Sequence, residues 1–248
     1  MKKITYSIDP QVFSIAPMYA RALIIIKNIQ NTPSTGHLRE KLTSIQKHIA
    51  STITQEQLLS DIRIKSWQEV FRKTGMNPRD TRPAHEAMLR RIVQDKLIPS
   101  INTIVDVGNI CSFEHMIPIG VHPLDSIKSE LVLRQAVGTE TFTPFNVENS
   151  DLVEHPMPGE IVLCEGDTVL TRSWVWRQSK GSITHVETKN LVINIDVLQD
   201  NLLEAGIGSK ESALQIANEL SVQVKELCGG DSEICILHAS NPKVEFTV

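Results

Sequence analysis

The sequence predicts an α+β fold, with N-terminal helices packed on a mainly antiparallel or mixed sheet. Two observations predict it. Residues 37–116 carry apolar side chains at helical spacing. After Ile117-Pro118-Ile119-Gly120 the texture changes to short runs of branched residues separated by Gly, Pro and Asn. Helices first and strands afterwards are the signature of that class.

The elements follow in order. Residues 2–8 read as a short strand, and Asp9-Pro10 opens a brief helix. Tyr19 to Ile29 is rich in Ile and reads as a buried strand, followed by a loop over 31–36. A helix over 37–52 places Leu38, Leu42, Ile45 and Ile49 on one face. A second, 54–73, turns Leu58, Ile62, Trp67 and Val70 inward and ends at Gly75-Met76-Asn77-Pro78. A third, 82–95, has Pro83 in its first turn and Ala84, Ala87, Met88, Ile92 and Val93 as apolar positions. Arg82, Glu86 and Arg90 share a ridge of this helix, where Glu86 can pair with Arg90. A fourth, 101–116, carries Ile104, Val105, Ile110 and Phe113. Strands are expected at 131–137, 160–164, 168–176 and 191–197. A last helix, 209–227, is capped by Ser209 and stopped by Gly229-Gly230. Strands 233–238 and 244–248 close the chain. Residues 1–248 read as one domain, with a core over 60–200.

Composition narrows the function classes. Of 248 residues 41% are hydrophobic and 22% charged, and no apolar run approaches the roughly 20 residues that cross a bilayer. The start has no apolar signal segment. Cys111, Cys164, Cys228 and Cys235 form no CxxC pair, which points to a reducing cytoplasm. A net charge of −4 argues against a surface that coats nucleic acid broadly. Arg63 to Lys96, however, holds nine basic and four acidic residues, a local +5. That stretch is either a solvated helical face or a patch for one polyanion.

The motifs of common catalysts are missing. There is no P-loop, no GxSxG elbow and no HExxH, and Gly206-Ile207-Gly208 lacks the third glycine of a dinucleotide fingerprint. Cys111, His115 and His122 are candidate metal ligands, but they are too few for a site and no metal or other cofactor is expected. The run Thr171-Arg172-Ser173-Trp174-Val175-Trp176-Arg177 holds two of the three tryptophans. As a strand it would place Arg172, Trp174 and Trp176 on one face, suited to a flat ring or a phosphate ester. It would equally suit a packed core.

An ordered set of pieces carries a resemblance. The run Pro78–Arg91 (PRDTRPAHEAMLRR) leads into Pro99–Asn109 (PSINTIVDVGN). Then come Pro118-Ile119-Gly120, Leu133-Arg134-Gln135-Ala136, Gly159-Glu160-Ile161-Val162 and Arg172–Arg177. In that order and spacing they resemble the B3/B4 domain of the phenylalanyl-tRNA synthetase β subunit, and more closely the free-standing B3/B4 proteins. The resemblance covers roughly residues 60–200. It implies a B3/B4-like layered α/β fold. It also implies the chemistry of that domain, which hydrolyses tyrosine wrongly esterified to the tRNA for phenylalanine. Two positions depart from the synthetase pattern. Gly120 stands where the synthetase usually has histidine, and 178–184 has no acid where a carboxylate reads the tyrosine hydroxyl. Tyrosine specificity is therefore not carried across.

On that resemblance the chain is expected to bind tRNA, or to hydrolyse a misacylated aminoacyl-tRNA ester in trans. The alternative is a non-catalytic pocket for an amino acid or related small metabolite. A structural or protein-interaction domain is the third reading. Ester hydrolysis here needs orientation and oxyanion stabilisation more than a strong base. The ligand-binding candidates are Arg82, Arg134, Arg172 and Arg177, with Trp174 and Trp176 as walls. Asn109 and Glu160 are expected as polar supports and His122 as a base near the rim. Arg79, Arg90 and Arg91 are the candidates for tRNA phosphates. Expected partners are tRNA or aminoacyl-tRNA and a small amino acid, with no membrane.

Overall fold

A computed structural model of the chain describes residues 2–145, 152–198 and 208–248. Two sheets, seven α-helices and one 3-10 turn (Lys180–Ser182) account for the regular structure of these residues. The six-stranded sheet has the order β10-β1-β4-β5-β6-β7. Its strands are β1 (Lys3–Ile8), β4 (Glu130–Gln135), β5 (Ile161–Glu165), β6 (Thr168–Arg172), β7 (Arg177–Gln178) and β10 (Lys243–Thr247). The four-stranded sheet runs β3-β8-β2-β9, from Ile119–Pro123, Leu191–Val197, Ala20–Lys27 and Asp231–Leu237. Pairing is antiparallel throughout except between β1 and β4, so the six-stranded sheet is mixed. The α+β class is the one the sequence predicts.

Side-chain alternation sorts the core into layers. On β2, Ala20, Ala22, Ile24 and Ile26 face helices α2 (Gly36–Thr52), α6 (Thr103–His115) and α7 (Ser209–Cys228). Leu23 and Ile25 face the other way, toward the six-stranded sheet. β8 does the same, with Leu191, Ile193, Ile195 and Val197 toward the helices and Val192 toward the sheet. Two-sided burial explains why both strands read as near-continuous apolar runs. The space between the sheets is filled by Tyr6, Tyr19, Trp67, Phe71 and Trp174 with aliphatic neighbours. Trp67, Tyr19 and Trp174 meet edge to face, with centroids 4.9 to 6.5 Å apart. That geometry is the one aromatic quadrupoles favour.

Several boundaries differ from the sequence reading, each for a local reason. The helix expected over 54–73 is two, α3 (Gln55–Ser60) and α4 (Ile62–Lys73). Asp61 divides them: its carboxylate accepts from Arg63 N at 2.9 Å and caps the second. The helix expected over 82–95 is α5 (Ala84–Ile92), and it buries His85, Glu86, Leu89 and Ile92. Ala87 and Met88 are half-buried, so the inward face is turned from the predicted one. Helix α6 starts under Asn102, whose side chain accepts from Val105 N. The N-cap of α7 is Gly208, not Ser209, whose hydroxyl donates to the Met18 carbonyl. Gly206 and Ile207 lie outside the described residues. β3 was not anticipated, since a proline at each end masks so short a strand. No described helix is long and apolar enough to cross a membrane.

The largest difference falls at the tryptophan run. β6 stops at Arg172, and Ser173 and Trp174 take left-handed backbone with φ of 44° and 64°. The chain then turns into β7, where Arg177 pairs back on Arg172. So 168–176 is not one strand, and Trp174 and Trp176 do not alternate along a flat ribbon. Two non-glycine residues in left-handed backbone cost of order 1–3 kcal/mol each. Glu160 holds them there: its Oε1 accepts from Ser173 N at 2.9 Å and from Ser173 Oγ at 3.0 Å.

Candidate functional site

The strained turn forms one wall of a cavity between the two sheets. Trp174, Val175 and Trp176 supply that wall, Gln178 the floor of β7, and Pro118, Gly120 and His122 the β3 side. Arg21 of β2 and Asn194 and Asp196 of β8 close the far end. The cavity's volume is about 80 Å³. One water needs roughly 10–15 Å³ of such space, so a small polar group and several waters fit.

A buried charge cluster anchors this end. Arg21 Nε donates to Asp196 Oδ1 at 2.7 Å, and Arg21 Nη1 donates to Tyr6 Oη at 2.7 Å. The Tyr19 hydroxyl donates to the same Asp196 oxygen. Arg21 and Asp196 are only 1% and 2% exposed. Burial opposes the charge on Arg21, yet the Asp196 carboxylate beside it raises its affinity for the proton well above the ordinary value. Burial likewise lifts the Tyr6 hydroxyl to about 12. Sequence reasoning missed this cluster. The signal was present: one guanidinium inside the apolar Ala20–Ile26 run, and Asn194 and Asp196 two apart in Leu191–Val197.

His122 is the cavity's titratable donor. It is buried rather than at the rim, and burial with the Arg21 charge lowers its pKa to about 3. It is therefore neutral at pH 7 and a weak general base. Its Nδ1 accepts from Gln178 Nε2 at 3.0 Å. The same amide nitrogen donates to the carbonyls of Val121 at 2.7 Å and Ser182 at 2.8 Å. The amide's two hydrogens are shared among these three neighbours, which fixes its orientation; an N–H group facing Nδ1 leaves the proton of the neutral His122 on Nε2. A Cβ added at Gly120 would lie 3.1 Å from that Nε2. The missing side chain at Gly120 thus keeps the donor accessible from the cavity. Three side-chain atoms of lining residues, Asn194 Oδ1, Thr171 Oγ1 and Trp174 Nε1, are buried without a hydrogen-bond partner. Such orphans cost about 1–3 kcal/mol each.

Burial also lowers His85, on α5, to about 3, with the Arg63 charge adding to it. The sign of the pH dependence follows. Both histidines bind a proton more readily when unfolded, near 6.5, so their contribution is complete above pH 6.5. It is lost as pH falls toward 3, at about 1.4 kcal/mol per pH unit per histidine. Urea denaturation is expected to give lower stability at pH 5 than at pH 7, and His85→Phe should roughly halve that slope. A stability unchanged between those pH values would contradict the buried, neutral assignment.

The other candidates fall in three places. Arg172 and Arg177 do not line the cavity. Arg172 forks onto Glu160, with Nε–Oε1 at 3.0 Å and Nη2–Oε2 at 2.8 Å, and reaches Glu154 at 2.6 Å. Arg177 meets Glu154 at 3.3 Å, and both guanidiniums stack on Trp176 and Phe142. Glu160, fully buried, is the centre of this brace. Arg134 pairs with Glu140, whose carboxyl drops to about 2 as backbone N–H groups and Arg134 outweigh its burial. Asn109 is half-buried on α6 and lines no cavity described here. Arg79, Arg82 and Arg90 line a separate cleft, and Arg91 is exposed outside it. Cys111, His115 and His122 do not converge. No cluster of three His, Cys, Asp or Glu suited to a metal occurs among the described residues.

A helix-covered pair of sheets with a cavity between them defines the class to which the comparisons then give a name. Residues 66–224 match the family model described as B3/4 domain, and the chain belongs to this family. Among solved structures, it is similar to an N-terminal fragment of the phenylalanyl-tRNA synthetase beta-subunit from Pyrococcus horikoshii. The identity is 13% and the TM-score 0.39, over 93% of this chain and 50% of that one. The chain thus spans about half the length of that fragment. Comparison with curated proteins finds no match.

Proposed function

We propose that the protein binds the aminoacylated end of a tRNA in the cavity between the sheets and hydrolyses the ester. One observation carries the reading. Residues that line the cavity carry a donor, His122 Nε2, and two buried oxygens with no hydrogen-bond partner, Asn194 Oδ1 and Thr171 Oγ1. An α-aminoacyl ester presents the complement, a carbonyl oxygen and an ammonium group. In this reading a water oxygen attacks the carbonyl carbon and the bond to the ribose oxygen breaks. The neighbouring ribose hydroxyl relays the water's proton to the departing oxygen. His122 Nε2–H stabilises the developing oxyanion, which suits a neutral donor that is a weak base. Membership of the B3/4 family supports the assignment, and the pairing of β1 with β10 supports reading 1–248 as one domain.

The test is deacylation of a panel of mischarged tRNAs at low salt, where phosphate contacts are strongest. Turnover of at least one ester is expected. It should be lost in Gly120→Leu, whose side chain enters the cavity, while the far-UV spectrum stays unchanged. Absence of both binding and turnover would end this reading.

A second reading keeps the pocket without the chemistry. The low pKa of His122 and the commitment of Asp196 to Arg21 leave no free base on the cavity lining. A thermal shift with free amino acids, abolished in Gly120→Leu and without any deacylation, would favour it.

A further inference from the structure

The cleft beside α5 has chemistry of its own. Gln68, Arg72, Asn77, Arg79, Arg82 and Arg90 surround an opening of about 420 Å³. No described carboxylate lines it. Arg90 donates to Glu86 Oε1 at 2.7 Å, which also accepts from Gln68 at 2.9 Å, so that guanidinium is neutralised. Asp80, nearby in sequence, is held by Asn77 at 2.7 Å. Arg72, Arg79 and Arg82 have no ion-pair partner among the described residues, and the buried Nε of Arg82 has no acceptor. Three like charges gathered this way repel each other until an anion joins them. Arginine forks match phosphate oxygens in pairs.

We propose that this cleft binds a backbone phosphate of the RNA strand whose aminoacylated end enters the cavity, a placement that rests on the cavity reading above. Continuity favours a strand over a free phosphate. Arg82 stands two residues before Ala84, which lines the cavity and donates its N–H to Val175 O at 2.8 Å. The Cα atoms of a cleft residue and a cavity residue are thus at most roughly 7 Å apart. That proximity is what the proposal of one strand at both places rests on.

The experiment is fluorescence anisotropy with a labelled RNA hairpin ending in CCA, uncharged or carrying an amide-linked amino acid, titrated across salt. Arg72→Ala, Arg79→Ala and Arg82→Gln are compared with Lys47→Ala, an exposed basic residue on α2 outside the cleft. Each arginine variant should bind roughly tenfold more weakly, since charge-assisted hydrogen bonds are lost. Each should flatten the slope of log affinity against log salt by roughly 0.7–0.9. Lys47→Ala should change neither. Arg72 and Arg79 are exposed, so their substitution spares the fold even where Arg82→Gln does not. Wild-type RNA affinity in all three variants would overturn the proposal. So would competition by inorganic phosphate with no preference for RNA. Arginine-dependent RNA binding without ester hydrolysis would uphold the cleft and remove the cavity reading. Hydrolysis at wild-type kcat/KM in Arg72→Ala and Arg79→Ala would do the reverse.

Discussion

Arg21→Met is expected to destabilise the protein by about 3–5 kcal/mol, because it strands the Asp196 carboxylate in a nearly dry interior. Arg21 and Asp196 are almost fully buried, and each is the other's counter-charge. The double variant Arg21→Met/Asp196→Leu should recover at least about 2 kcal/mol of that loss, since replacing both members of a buried pair is often close to neutral. Recovery stays partial because the Tyr6 and Tyr19 hydroxyls lose their partners. Urea denaturation of the three proteins measures this directly. Equal stability for the single and double variants would show that Asp196 does not depend on Arg21.

Glu160→Ala is expected to cost a similar amount, about 3–5 kcal/mol, by unpairing Arg172 and freeing the turn at Ser173 and Trp174. The carboxylate is fully buried and accepts from Arg172, Ser173 and Met157. For a chain of this size that loss is roughly 10 °C or more in Tm. The turn is the cavity wall, so ligand binding should fall together with stability. Glu160→Gln keeps the shape and can still accept from Ser173 N, so it should lose less. A Tm within a degree of wild type for Glu160→Ala would mean that the left-handed turn holds itself.

Those two sites also show what could be read from the chain. Strands β2 and β8 were legible because two-sided burial leaves a continuous apolar run, and β8 was expected at the bounds it has. Helices α2 and α6 were legible from spacing. The α3–α4 break was not, since Asp61 caps a helix inside a stretch whose periodicity continues across it. The candidate site was half legible. Trp174, Trp176 and His122 were expected at the ligand and do line the cavity. Arg172 and Arg177 were expected beside them, but Glu154 and Glu160 take up their donors, and a one-dimensional pattern does not show which carboxylate arrives. The strand reading of 168–176 failed because the left-handed turn at Ser173 and Trp174 depends on a clamp at Ser173 from thirteen residues away.

The amide of Gln178 has a consequence for what can enter beside it. Turning it over would set Oε1 against the carbonyl oxygens of Val121 and Ser182, so electrostatics forbids the flip. The imidazole next to it is therefore locked in one tautomer whatever the occupant. A guest that places an oxygen lone pair there is welcomed. One that brings a cation to the same spot meets hydrogen against hydrogen and is turned away before any chemistry begins.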